Sequence, residues 1–137
     1  MSLYLLDTSI CISALRDPKS ALAKRLGKMA VGEAVISSIV LAELELGIGL
    51  SSKKADNRRA LQAFLQYFPV LDWPAQAATL YGEVRAELQQ AGNEIGAMDL
   101  LIAVHALSLK ATVITDNEKD FRRVRKLKVE NWLRAAA

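Results

Sequence analysis

One cysteine, one histidine and no Gly-Lys-Ser/Thr phosphate loop stand in these 137 residues, and each scarcity removes a class of chemistry. With Cys11 alone no intramolecular disulfide can form, which fits a reducing, cytoplasmic setting. A lone Cys and a lone His do not make a zinc site. His105 alone excludes a two-histidine acid–base pair of the kind a metal-free ribonuclease would use. It stands six residues beyond Asp99, well round a helix from it, and reads as a structural or surface histidine. Cys11, among Ile10, Ile12 and Leu15, reads as a buried thiol. Gly47-Ile48-Gly49 follows a helix-like stretch and lacks a third glycine, so it is no dinucleotide fingerprint. Long apolar runs are missing as well. The longest, residues 30–50, carries Glu33, Glu43 and Glu45 and is a poor membrane span. Asp7 interrupts the first apolar run, so no secretory leader is expected. Repeats, linkers and low-complexity segments are also absent from the pattern.

What is present is an ordinary globular balance, with 52% hydrophobic and 24% charged residues. The length predicts one domain over residues 1–137, able to bury a real core. The slight apolar surplus points to an oligomer or a tight partner. The net charge is +3, and the basic excess is local: Lys119, Arg122, Arg123, Arg125, Lys126, Lys128 and Arg134 crowd the last quarter. Such a patch is either a solvated face or a surface for a polyanion.

The hydrophobic pattern alternates between strand-like and helix-like segments. Strands are predicted at 3–7, 34–37, 69–73 and 112–116, with a last short one over 128–132. Helices are predicted at 8–16, 20–29, 39–50 with Ser38 as N-cap, 53–67, 74–90 and 97–109. Asp17-Pro18 stops the first helix, and residues 92–96 form a loop. Strands alternating with helices predict an α/β fold with a mostly parallel central sheet flanked by helices. In such sheets ligands bind outside the carboxyl ends of the strands.

Four acids sit in positions that this topology would bring to that edge. Asp7 and Asp116 close apolar strands, while Glu43 and Asp99 lie in apolar helices near their starts. Ionised carboxylates in apolar company are costly, and a divalent cation is the natural relief. Each acid alone has a plainer reading. Asp7 could cap the following helix, although Thr8 and Ser9 could cap it equally well. Asp99 suits a helix N-terminus. Asp116-Asn117 could be an Asx turn, and Asp120 could pair with Arg122 or Arg123. Glu43 resists such readings, because no Lys or Arg lies within a turn of it; Glu45 is the better solvated position.

Four strings occur in order: Leu6-Asp7-Thr8-Ser9, residues 37–44 around Glu43, residues 95–103 around Asp99, and residues 114–121 from Ile114 to Phe121. Together they resemble the PIN-domain family, in particular the VapC toxins of bacterial toxin–antitoxin pairs, over nearly the whole chain. The resemblance implies a single PIN-like nuclease domain and a Mg²⁺-dependent endoribonuclease, with Mn²⁺ able to substitute. It places catalytic groups at Asp7, Glu43, Asp99 and Asp116, with Asp7 and Asp99 on the metal. Supporting roles fall to Thr8, Ser9, Thr115, Asn117 and Asp120. It further implies a VapB-type antitoxin, a homodimer and an RNA substrate. The helices around 20–29 and 53–67 offer amphipathic surfaces for the protein contacts. Residues 102–106 and the tail resemble the branch that cuts initiator tRNA at the anticodon loop, and Arg122 to Lys128 would then engage the RNA backbone.

The competing reading is a metal-dependent phosphatase or phospho-acceptor domain, which would also place an aspartate after the first strand. Ser9 stands where the phosphatase would want a second aspartate. Lys110 precedes the last clear strand, where the phospho-acceptor would want a lysine at a strand end.

Overall fold

The computed structural model describes residues 2–134; residue 1 and residues 135–137 of the expected domain lie outside the described residues. Five strands form one sheet, in the order β3-β2-β1-β4-β5. They are β1 (Tyr4–Leu6), β2 (Ala34–Ser37), β3 (Val70–Leu71), β4 (Thr112–Ile114) and β5 (Lys128–Glu130). Every pairing is parallel, so the expected mostly parallel sheet is wholly so.

Burial explains the order. Leu5 and Leu6, all of β2, and Val113 and Ile114 are shut from solvent on both faces, as inner parallel strands require. The outer strand β5 alternates, with Val129 inward and Lys128 and Glu130 outward, and those charges blunt a sheet edge. The helices are α1 (Thr8–Arg16), α2 (Ala21–Gly27), α3 (Ser38–Gly49), α4 (Lys54–Leu65), α5 (Ala77–Gln90), α6 (Ala97–Leu109) and the single turn α7 (Glu118–Phe121). Helix α6 presents six buried residues, Leu100 and Ile102 to Ala106. That is why its apolar character runs all round. Among the described residues no helix is long and apolar enough to cross a membrane.

The chain builds β1, β2 and β3 in one direction and then returns past β1 to lay down β4 and β5. The strand order therefore reverses between β1 and β4. A crevice opens at such a switch point, outside the carboxyl ends.

Two boundaries differ from expectation for identifiable reasons. Ser37, not Ser38, caps α3: its Oγ accepts from Ile39 N at 3.1 Å. Ser38 Oγ is taken by the N–H of Trp73, at 3.0 Å. The last strand stops at Glu130 rather than 132. There Asn131 Oδ1 accepts from Leu133 N and turns the chain, and Trp132 folds back onto Tyr4 beneath the guanidinium of Arg25. His105 is buried, with Nδ1 2.8 Å from Ser37 Oγ, which settles it as structural rather than a surface group.

Candidate active site

Asp7 leaves β1 with its backbone still in the sheet, its N–H donating to Ile114 O. Its side chain does two jobs that the sequence set apart. Oδ1 accepts from Thr8 N at 2.7 Å and so caps α1. Oδ2 accepts from Ser9 Oγ at 3.1 Å and from Thr115 Oγ1 at 2.7 Å. The carboxylate is 4% exposed, so its orientation is fully held by neighbours.

Glu43 lies in the second turn of α3, where Oε1 accepts from Thr8 Oγ1 at 2.7 Å. Glu45, two residues on, is exposed and pairs with Arg58. Asp99 lies in the first turn of α6, and its Oδ2 accepts from Asn117 Nδ2 at 3.0 Å. The same Asn117 amide donates to Asp120 Oδ2 at 3.1 Å. Four chain segments thus converge: the β1 end, α3, the start of α6, and the turn after β4.

Asp116 is turned away from this group. Side chains alternate as the chain leaves β4: Thr115 points inward and is buried, Asp116 is exposed, and Asn117 returns inward. Asp116 Oδ1 accepts from Asn131 Nδ2 at 3.1 Å, and only its backbone N–H reaches the cluster, donating to Ser9 Oγ at 3.2 Å. Asp120 stands nearer the acids. It also faces Arg123 at 3.8 Å, the pairing that the sequence allowed.

The acids repel one another. Burial, then the charge of Asp7, and further the charges of Glu43 and Asp120, push Asp99 up to about 6 against the hydrogen bond from Asn117. Asp7 is also raised, by burial first and by Glu43, although the bonds from Thr115, Thr8 and Ser9 oppose the rise. Among the described residues no Lys or Arg pairs with Asp7, Glu43 or Asp99. The donor set is all carboxylate oxygen, with hydroxyls and one amide behind it, and suits a hard divalent cation. Among the described residues no three acids are drawn into a closed cage. That suits Mg²⁺, which takes one or two carboxylates and keeps several waters.

The other nucleophile arrangements fail on geometry. Ser37 and His105 are both buried, and Ser37 Oγ is occupied by Ile39 N and His105. Burial pushes the Cys11 thiol up, far from a thiolate.

Trp73 carries weight that the sequence did not show. Its N–H holds Ser38 at the start of the Glu43 helix, and its indole Nε1 donates to Leu101 O, at 2.9 Å, on the Asp99 helix. A tryptophan closing a strand carries no local sign that it will bridge two helices.

Comparison with known proteins follows the same lines. The family model of the PIN domain matches residues 4–127. Ribonuclease VapC2 of Rickettsia felis is 43% identical over 131 residues, covering 95% of this chain and 98% of that protein. The tRNA(fMet)-specific endonuclease VapC of Shigella flexneri is 36% identical over 129 residues, covering 94% and 97%. The crystal structure of VapBC2 from Rickettsia felis, bound to a DNA fragment from their promoter, superposes with a TM-score of 0.87. It is 40% identical and covers 95% of this chain and 98% of that one.

Proposed function

The chain belongs to the PIN-domain family, and on that premise we propose that it is a metal-dependent endoribonuclease toxin of the VapC type. The carrying observation is the meeting of Asp7, Glu43, Asp99 and Asp120 at the carboxyl edge, where they raise Asp99 to about 6 with no protein cation paired to the first three. Asp7 and Asp99 would hold Mg²⁺, and Mn²⁺ has the same preference for oxygen. When bound, the ion activates water and neutralises charge on the phosphate under attack.

The protein's own part is positional. Thr8, Ser9 and Thr115 fix the rotamers of Asp7 and Glu43, and Asn117 holds Asp99 and Asp120 side by side. Glu43 orients attacking water. The fourth carboxylate is assigned to Asp120, because the side chain of Asp116 is engaged by Asn131. Attack by water needs no 2′-hydroxyl, so the products would carry 5′-phosphate and 3′-hydroxyl ends.

The Shigella relative is named for tRNA(fMet), which supports initiator tRNA as the substrate here, and arrest of translation as the consequence. The VapBC neighbours support a VapB-type antitoxin as partner, with a basic side chain entering the acids, and a homodimer as the working form. The test is incubation of the purified protein with initiator tRNA and Mg²⁺, with and without EDTA, followed by 5′-end mapping. Cleavage that needs the metal and leaves 5′-phosphates supports the assignment. Intact RNA together with turnover of a phosphomonoester would replace it with the phosphatase reading, and 2′,3′-cyclic phosphate products would rule out attack by water.

A further inference from the structure

The basic residues near the carboxyl terminus do not act as one patch. Arg122 pairs with Glu118 and donates to Val129 O. Arg123 faces Asp120 and donates to Glu94 O, and Arg125 pairs with Glu87. The arginines are thus committed to protein groups. Lys126 and Lys128 are not paired with any carboxylate among the described residues, and neither is Lys110, a residue remote from them in sequence.

These three lysines line one cavity of about 380 Å³, floored by Leu107 and Ala111 and without a carboxylate in its wall. It lies at the amino ends of β4 and β5: Lys110 joins α6 to β4, and Lys128 opens β5 opposite Thr112. Two of the three hold a left-handed backbone, Lys110 at φ 56 and Lys126 at φ 70, the two non-glycine residues of the described chain that do so. Glycine would take either position without steric cost. Lysine at both places, lining the same cavity, puts backbone strain where positive charge gathers. Like charges so gathered favour an anion with several oxygens over any other ligand.

A second cavity shares Leu107 and Lys126 with the first and continues to Arg125 and Arg123. Glu83 and Glu87 also line it, so its field is mixed. Arg123 in turn faces Asp120. A cationic flank therefore leads from the acids to the lysines, and the three residues of β4, about 3.3 Å each, span the same gap inside the sheet.

We propose that the cavity between Lys110, Lys126 and Lys128 binds a backbone phosphate of the RNA whose scissile bond lies over the acids at the opposite ends of the strands. This rests on the nuclease reading above. The pocket adds affinity for a long polyanion and takes no part in bond cleavage, so a substrate too short to span the flank gains nothing from it.

The test has two arms, both in EDTA so that RNA stays whole. In the first, inorganic phosphate is titrated and backbone amide resonances are followed. Saturable shifts are expected at Lys110, Ala111 and Lys126, with at least tenfold weaker binding in Lys110→Gly/Lys126→Gly. That variant should melt at or above the wild-type temperature, because glycine relieves both left-handed positions, so weak binding cannot be ascribed to unfolding. No saturation at these amides, or no change in the variant, overturns the pocket. In the second, anisotropy of labelled initiator tRNA is measured over a range of salt. Adding Lys128→Gln should lower the slope of log K against log salt by about 2 to 3, at about 0.7 to 0.9 per phosphate lost. An unchanged slope with phosphate binding lost would make the pocket a site for free phosphate and overturn the RNA assignment. If wild-type protein fails to cut RNA with Mg²⁺ yet the slope falls, the nuclease reading fails and the pocket stands. If cutting is intact and the slope does not move, the reverse holds.

Discussion

Thr115 Oγ1 donates a 2.7 Å hydrogen bond to Asp7 Oδ2, joining the carboxyl ends of two adjacent strands across 108 positions of sequence. That bond is the largest influence opposing the burial of Asp7. Thr115→Val keeps the shape but removes the donor, so Asp7 should protonate at a higher pH. The acidic limb of the pH–rate profile is expected to move upward, and Mg²⁺ affinity to fall roughly 10-fold, as for a lost group behind a metal ligand. A limb that stays in place would show that the hydroxyl does not tune Asp7.

Asp7 both caps α1 and faces the other acids, and two substitutions separate these roles. Asparagine caps about as well as aspartate. Asp7→Asn should melt within a few degrees of wild type while cleavage of RNA falls at least about 100-fold. Asp7→Ala loses the cap, at about 1 kcal/mol, and leaves the buried Thr115 hydroxyl without its acceptor, at about 1–3 kcal/mol more. Denaturant melts of both variants give the comparison. Full cleavage by Asp7→Asn would remove Asp7 from the chemistry.

Asp116 and Asp120 are four residues apart and face different partners, Asn131 in one case and Asn117 in the other. Asp120→Asn is expected to slow cleavage at least about 10-fold, and Asp116→Ala by less than about threefold, near the limit set for surface changes. Single-turnover rates at saturating Mg²⁺ decide it. The opposite ranking would return the fourth position to Asp116.

The raised carboxyls make stability depend on pH with a definite sign. Asp99 holds its proton more tightly in the folded chain, about 6 against the ordinary 3.8. Its contribution to stability is complete below the unfolded value and is lost as the pH rises through about 6. Asp7 acts in the same sense, whereas Glu45 and Glu118, held low by surface partners, act in the opposite one. The comparison is therefore wild type against Asp99→Asn in EDTA. The variant should gain most in melting temperature near neutral pH and little at about pH 4. Mg²⁺ should raise the wild type at neutral pH and the variant much less. A pH-independent difference would deny the mutual repulsion of the acids.

Trp73 fastens the starts of α3 and α6 together through Ser38 and Leu101. Trp73→Phe keeps the backbone bond to Ser38 and removes the one to Leu101, at about 1 kcal/mol. The expected signature is a modest loss of stability with a larger fall in Mg²⁺ affinity, read by calorimetry. If affinity and stability fall in proportion, the residue is only a packing element.

Much of this arrangement was legible in the residues. Apolar runs closing on Asp7 and Asp116 and the alternation of strand and helix marked out a parallel sheet, and unpaired acids in apolar helices marked Glu43 and Asp99. These follow from local rules of periodicity and from the cost of burying charge, and a single chain displays both. The cap of α3 was misplaced by one residue because the hydroxyl of Ser38 had a tertiary claimant in Trp73, 35 positions away.

The sequence by itself determined the fold class, the strand ends and the set of acids, because hydrophobic spacing and charge are properties of neighbouring residues. Only the tertiary structure decided which way Asp116 and Asn117 face, that Asn117 joins Asp99 to Asp120, and that Lys110 meets Lys126 and Lys128 around one cavity. These contacts depend on the side to which each side chain is turned and on which strand ends lie side by side. In a parallel sheet strand order is set by crossovers between distant segments, so no local pattern records it.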